Sequence, residues 1–421
     1  MLIKRDVYFE LLHDLKRKEF AFLIGPRQAG KTTLMMMLQE ALKRRGEKTL
    51  FLSLDFESDR GYFTSQKTLI KKIELEIGNK GGFVFIDEIQ RKEDAGRFLK
   101  GIYDMGLSYK FIISGSGSIE LKAGIKESMV GRKRVYEIGP VSLREFMNFR
   151  TDNRYEGHLE KFLSIERAEA NRLLMEYLNF GGYPRVILET EQKEKIRTID
   201  EIYRGYIEKD IAYILKVEKI EAFGLLIKLM ADQIGGLINY SELSSTLGIS
   251  LPTLKNYLWY AENTYILQRI TPYFRNVRKE IGKSPTVYFS DIGLRNYMLN
   301  IFGNLNRPDD IGFAFQNLVF LVLKEKLRWK NAKIHYWRTK AGSEIDFVIE
   351  MGRERIPVEV KFRELSSPVV PRSFNGFIEK YAPKRCIVVN RNLMTSVNVN
   401  GSKVLFFTIW DLMFWEIEGK H

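Results

Sequence analysis

Residues 25–33 read Gly25-Pro26-Arg27-Gln28-Ala29-Gly30-Lys31-Thr32-Thr33, which fits the G-x-x-x-x-G-K-[ST] spacing of a phosphate-binding (Walker A) loop. The chemistry served by that spacing is the holding of a polyphosphate. Gly25 and Gly30 let backbone N–H groups turn inward around an anion, and the positive end of a following helix adds to the field. Lys31 can reach the outer phosphates, and the Thr32 hydroxyl can ligate Mg²⁺. Such a loop needs a second, acidic element. Asp87 and Glu88 close the apolar run Phe83-Val84-Phe85-Ile86. Asp87 is expected on Mg²⁺ with Thr32, and Glu88 on the attacking water.

Two further residues are candidates for the same chemistry. Ser114 ends the run Lys110-Phe111-Ile112-Ile113, where it either senses the γ-phosphate or makes an ordinary Ser/Gly turn. Arg132 follows Met129-Val130-Gly131. It either offers a fixed charge to a transferring phosphoryl group, in its own subunit or a neighbour's, or joins Lys133 and Arg134 in a solvated basic patch.

A second constellation lies near the C-terminus. Ile345-Asp346-Phe347-Val348-Ile349 and Ile356-Pro357-Val358-Glu359-Val360-Lys361-Phe362 read as a hairpin. Side chains alternate between faces, so Asp346, Glu359 and Lys361 can converge on one face while the apolar residues take the other. Two acids and a lysine suit phosphodiester cleavage. The acids bind Mg²⁺ or Mn²⁺, and the lysine orients water or offsets charge. The plainer reading is a solvated strand of alternating charge.

The elements that must position these residues follow from pattern. Phe20 to Ile24 is a short apolar run before the loop, and Leu34 to Leu42 suits the helix after it. That is the strand, loop, helix order that phosphate binding requires. Residues 151–230 carry helical periodicity and read as a lid or connector. Within 231–300, Tyr240 to Leu247, the turn Gly248-Ile249-Ser250 and the helix from Leu251 read as helix, turn, helix, with Ser250 as cap. Thr253, Lys255 and Asn256 would face outward and meet DNA. Ile266 to Ile270 and Thr286 to Phe289 read as strands. Arg275, Arg278, Lys279 and Lys283 lie between them, opposed only by Glu280, as in a basic wing. Such modules also dock proteins.

Lysine and arginine (67) exceed aspartate and glutamate (53), giving a net charge of +14, which favours a polyanionic partner such as nucleic acid. Cys386 is the only cysteine, so no internal disulfide can form. His13, His158, His335 and His421 are scattered and make no zinc cluster. No apolar stretch approaches the ~20 residues that span a bilayer, and no signal-peptide core opens the chain. These features lead us to expect a cytoplasmic protein without a membrane partner.

The segments GPRQAGKTTL, FIDEIQR, ISGS and SMVGRKRVYEIGPVSLREF resemble a family of archaeal and bacterial AAA+-type P-loop ATPases with a C-terminal restriction-endonuclease-like domain. Gly181-Gly182-Tyr183-Pro184, Asp210 and Tyr288 to Leu299 are similar to further landmarks of that family. The resemblance implies an α/β fold: a parallel P-loop NTPase sheet over 1–150 with an extra strand between the loop strand and the metal-acid strand. A helical connector (151–230), a winged helix (231–300) and a restriction-endonuclease-like domain (301–421) would follow. The loop and the acid pair call for ATP and Mg²⁺ as cofactors, and Arg132 acting on a neighbour's site would require a homo-oligomer. The family pattern places a glutamate on the helix before the C-terminal hairpin, where this chain has Gln316. Three functions fit: an ATPase acting on or with DNA; alternatively, an ATP-gated, metal-dependent nuclease; alternatively, a nucleotide-controlled switch that binds protein.

Overall fold

The computed structural model describes residues 2–116, 128–205, 211, 219–274 and 284–417. Four largely apolar runs and a more polar edge strand, Lys133–Glu137, form one parallel sheet. They are β1 (Phe20–Gly25), β2 (Thr49–Ser53), β3 (Gly82–Asp87), β4 (Tyr109–Ser116) and β5 (Lys133–Glu137), in the order β2-β3-β4-β1-β5. β4 therefore lies between the loop strand β1 and the acid strand β3, as the resemblance implies. The runs lack polar alternation because both faces are covered. Phe20, Phe22, Val84, Ile86, Phe111 and Ile113 pack in one layer. Ala21, Leu23, Phe85 and Ile112 pack in the other, against Leu34, Met35, Leu38 and Leu42 of the helix Lys31–Arg44. Among the described residues no helix is long and apolar enough to cross a membrane.

Past the parallel sheet the apolar core changes. Val141 through Ile417 contribute to one continuous cluster, joined by Ile3 from the N-terminus. A separate cluster, with Trp337, Ile345, Val348, Phe374, Phe377 and Phe406, packs in the C-terminal part of the chain. Among the described residues, the helices Arg167–Phe180, Gln192–Gly205 and Ile220–Asp232 occupy much of the stretch after 150. The helices Tyr240–Leu247 and Leu251–Asn263 follow, joined by Gly248 in the left-handed conformation (φ 60°). Ser250 caps the second helix by accepting the Thr253 N–H at 3.2 Å. β6 (Leu267–Ile270) and β7 (Thr286–Phe289) then pair antiparallel. Arg275, Arg278, Lys279 and Lys283 lie outside the described residues, as does Asp210.

The C-terminal sheet holds β8 (Ala332–Arg338), β9 (Glu344–Met351), β10 (Glu354–Val360), β11 (Arg385–Asn390), β12 (Thr395–Val399) and β13 (Ser402–Thr408). Its order is β12-β13-β11-β10-β9-β8. β10, β11 and β13 run parallel, and the outer strands are antiparallel. The helix Arg372–Tyr381 makes the crossover from β10 to β11. The helix Pro308–Leu327 covers one face with Phe315, Leu318, Val319 and Leu323. Trp415 packs against Phe407 at 5.9 Å between ring centres, and Trp410 lies against the same core.

Candidate functional site

The loop's conformation is one that glycine supplies. At Gly25 φ is 154°, and a Cβ there would sit 2.0 Å from the Ile138 carbonyl oxygen of the adjoining chain. Gly30 has φ 91° and opens the helix Lys31–Arg44, whose first N–H groups lack helical partners. Lys31 is buried, and its ammonium donates to the Gly25 and Pro26 carbonyls at 3.0 and 2.7 Å. Thr32 Oγ1 donates to Asp87 Oδ2 at 2.9 Å. The start of the helix after β1 thus meets the end of β3 across the C-terminal edge of the sheet, where ligands of parallel α/β folds collect.

Ser114, at the end of the intervening strand β4, is fully buried. Its hydroxyl donates to Asp87 Oδ1 and accepts the Glu88 N–H at 3.3 Å. From the end of the strand next to the loop strand, that hydroxyl thus joins the two acids. Glu88 has φ 56°, rare for a residue with a side chain, and Gln90 donates to its Oε2. Burial raises the Glu88 carboxyl above the ordinary range, against the pull of Lys31, and Asp87 raises it further. A raised carboxyl beside the loop can take a proton from water.

A cavity of about 420 Å³ opens over the loop, lined by Arg27, Lys31, Thr32, Thr33, Glu88 and Arg185, among others. Gln28 and Gly30 also line it, whereas Ala29 is buried behind the loop. The sequence reasoning missed Arg185. It lies just after Pro184 on the short helix Pro184–Leu188, and its Nη1 donates to Gln28 Oε1 at 3.0 Å. Its Nη2 pairs with Glu201 at 2.9 Å. Arg5 was also missed. Its buried guanidinium donates to the Ala29 carbonyl at 3.0 Å and pairs with Glu145 at 3.0 Å, tying the loop to the capping box of the helix Leu143–Arg150. The signal for Arg185 was its place directly after Gly181-Gly182-Tyr183-Pro184. Arg5 had none.

Arg132 stands elsewhere. It immediately precedes β5, and its carbonyl accepts the N–H of Phe20, the first residue of β1. It therefore lies at the N-terminal edge of the sheet, whereas the loop leaves the C-terminal edge. Arg132 Nε donates to Asp104 at 2.9 Å, and its guanidinium lies 5.9 Å from the Tyr103 ring centre. A role on the phosphates of its own chain is excluded by the length of a strand.

The second constellation does assemble. Val358 pairs with Phe347, so the register sets Glu359 opposite Asp346 on one face. Asp346 Oδ2 accepts the Val360 N–H at 2.7 Å, and Gln316 Nε2 donates to Asp346 Oδ1 at 3.0 Å and to the buried Tyr288 hydroxyl at 3.1 Å. Lys361 pairs with Glu359 Oε1 at 2.7 Å, while Glu359 Oε2 is buried without a hydrogen-bond partner. Desolvation raises both carboxyls; Glu359 raises Asp346 further, whereas Lys361 pulls Glu359 back down. Among the described residues no group of three His, Cys, Asp or Glu side chains gathers as a metal site.

On the helix Leu251–Asn263, Lys255 and Asn256 are exposed. Thr253 is only half-exposed, with its hydroxyl 2.8 Å from that of Ser250.

The strand order and the loop define an α/β P-loop nucleotide-binding domain of the AAA+ class. Residues 17–147 match the model of the AAA domain, residues 171–305 that of a domain of unknown function (DUF8612), and residues 311–409 that of another (DUF4143). The chain is 25% identical to an uncharacterized protein of Mycobacterium tuberculosis, over 92% of this chain and 80% of that one. It is 25% identical to an uncharacterized protein of Methanocaldococcus jannaschii, over 94% and 85% of the two chains. A Haemophilus influenzae protein, also uncharacterized, is 23% identical over 97% and 98%. Among solved structures, AMPPCP-bound DnaA from Aquifex aeolicus aligns at 16% identity and a TM-score of 0.28, over 62% of this chain and 89% of that one. Nothing further follows from a likeness at that score.

Proposed function

We propose that the chain is a Mg²⁺-dependent ATPase that acts on or with DNA through its helix-turn-helix and C-terminal domains. The observation that carries the reading is the Thr32–Asp87 contact of 2.9 Å, with Glu88 beside it. The cavity fits a nucleoside triphosphate in charge as well as size: among the described residues Arg5, Arg27, Lys31 and Arg185 line it against one acid, Glu88. Thr32 and Asp87 would hold Mg²⁺, which when bound neutralises charge on the terminal phosphates. Lys31 would exchange its carbonyl partners for phosphate oxygens. Glu88 orients water and accepts its proton, with Gln90 fixing the carboxylate. Ser114 keeps Asp87 and Glu88 in place. Arg132 has its phosphoryl role in a neighbouring copy's site. Lys255 and Asn256, with the basic residues Arg275, Arg278, Lys279 and Lys283, supply the DNA contacts. The test is the ATPase rate of the full chain with and without single- and double-stranded DNA. Turnover stimulated by DNA and lost in Lys31→Ala supports the reading; turnover that survives Lys31→Ala rejects it.

A second reading, an ATP-gated metal-dependent nuclease, is favoured by the unpartnered Glu359 Oε2 beside Asp346 and Lys361. Asp346 and Glu359 would share Mg²⁺ or Mn²⁺ on a restriction-endonuclease-like sheet, and Gln316 would bond to a metal-bound water without adding charge. Incubation with plasmid, linear and single-stranded DNA in each metal tests it. Cleavage lost in Asp346→Ala and Lys361→Ala supports it; no cleavage of any substrate in either metal rejects it.

A further inference from the structure

Trp259 lies on the outer face of the helix Leu251–Asn263 and is 44% exposed. The opposite face of that helix, Leu254, Tyr257, Leu258 and Ala261, is buried, so the fold itself holds the indole outward. Trp259 forms part of an open depression with Tyr240, Lys255, Asn256 and Arg269. None of these residues is acidic, and Lys255 and Arg269 are cationic. The nearby carboxylates are engaged. Glu262 accepts from both the backbone N–H and the guanidinium of Arg269, and Glu242 accepts from Asn239 Nδ2 at 3.0 Å. Arg269 Nη1 also donates to the Tyr240 hydroxyl at 3.4 Å, so the cation is braced from two sides.

We propose that this depression receives an unpaired nucleobase, stacked on the Trp259 indole, with the adjoining phosphate on Lys255 and the Asn256 amide at the base edge. The inference rests on the reading that this module meets nucleic acid, and it names the form of nucleic acid recognised. A flat aromatic ring beside a lysine and an amide is the pairing that single strands offer partners for: every free base has a π-face, and every nucleotide carries a phosphate. In a duplex those faces are covered by neighbouring bases. The net charge of +14 favours the polyanion.

The test uses the full chain, a fluorescent oligothymidylate, a duplex of equal length and an abasic strand. Affinities are read by anisotropy, with thermal melts confirming that each variant is folded. The single strand is expected to bind more tightly than the duplex. Trp259→Ala is expected to weaken single-strand binding about tenfold and Trp259→Phe to retain most of it. The abasic strand should not distinguish wild type from Trp259→Ala. Lys255→Ala should reduce the salt slope by about 0.7. Unchanged single-strand affinity in Trp259→Ala overturns the stacking while leaving nucleic-acid binding intact. A duplex preference indifferent to Trp259 overturns it in favour of groove reading. Loss of self-association or of a protein contact in Trp259→Ala, with nucleic-acid affinity unchanged, overturns it in favour of protein docking. No binding of any nucleic acid by the wild type overturns both the stacking and the reading beneath it.

Discussion

Gly182 donates its N–H to Asp291 Oδ2 at 2.7 Å, across 109 residues of sequence. The same carboxylate accepts the Leu294 N–H at 2.8 Å and the Gly293 N–H, and it is 2% exposed. Gly293 lies so close beneath Phe180 that a Cβ would stand 2.1 Å from the Phe180 carbonyl oxygen. The Gly181–Gly182 turn is thereby seated on the helix Ile292–Met298. Arg185 follows that turn and reaches Gln28 in the phosphate loop. One wall of the nucleotide cavity therefore hangs from a buried carboxylate in the far half of the chain.

Asp291→Asn should loosen this seat. The amide keeps one acceptor oxygen and turns an N–H₂ toward backbone donors, which leaves a buried N–H unmatched at about 1–3 kcal/mol. The melting temperature should fall, and affinity for a fluorescent ATP analogue should fall with it. Arg185→Ala should lower that affinity about tenfold, the scale of one charge-assisted contact. If Asp291 acts through Arg185, the two substitutions combined should cost less affinity than their sum. Additive effects on affinity would show that Asp291 supports the fold alone.

Binding and turnover should separate at the loop. Lys31→Ala removes the lysine of the phosphate loop and should abolish nucleotide binding within the range of a titration. Glu88→Gln keeps the shape, so ATP binding should persist while turnover drops roughly 10²–10⁴-fold. Equilibrium binding and phosphate release, measured on the same preparations, check both outcomes.

The parts of the site that were legible are those made by residues close in sequence or tied by strand alternation. Gly25 to Thr33 make the loop locally, and Asp87 and Glu88 end one strand. Asp346 and Glu359 meet because a hairpin with a short turn leaves little freedom of register. The Arg185–Gln28 contact spans 157 residues and depends on how helices pack, which periodicity does not specify. Arg132 illustrates a different gap. A parallel sheet places residues before its strands at one edge and residues after them at the other. Arg132 precedes β5 whereas the loop follows β1, so the strand reading alone contained the correction. Ser114 was placed at the correct edge, but only the packing shows its hydroxyl taken up by Asp87 and Glu88.

That position gives Arg132 a testable signature. If it serves a neighbour's nucleotide, Arg132→Ala should bind ATP normally and lose turnover. The wild-type rate per chain should rise with protein concentration. Mixing Arg132→Ala with Lys31→Ala should restore part of the activity, because a mixed contact pairs an intact loop with an intact arginine. A rate per chain independent of concentration, with no recovery on mixing, would leave Arg132 to its contacts with Asp104 and Tyr103.

The acidic pair of the C-terminal domain should link metal, proton and stability. Burial raises the Asp346 and Glu359 carboxyls, and the charge of Glu359 raises Asp346 further. A carboxyl raised on folding favours the folded state when protonated. Its contribution to stability is therefore present at low pH and is lost as pH rises through the folded value. A divalent cation reverses the penalty by replacing the proton, and its apparent affinity should increase with pH. We expect Mn²⁺ to raise the melting temperature more at pH 8.5 than at pH 6.5. Asp346→Asn should remove most of that difference by removing one of the two charges. The measurement is a set of melts with and without Mn²⁺ at each pH, made in an Asp87→Asn background so that the phosphate-loop metal site contributes no Mn²⁺ signal. A Mn²⁺ shift that is equal at both pH values would assign the pair to structure alone, with Lys361 as its resident counter-charge.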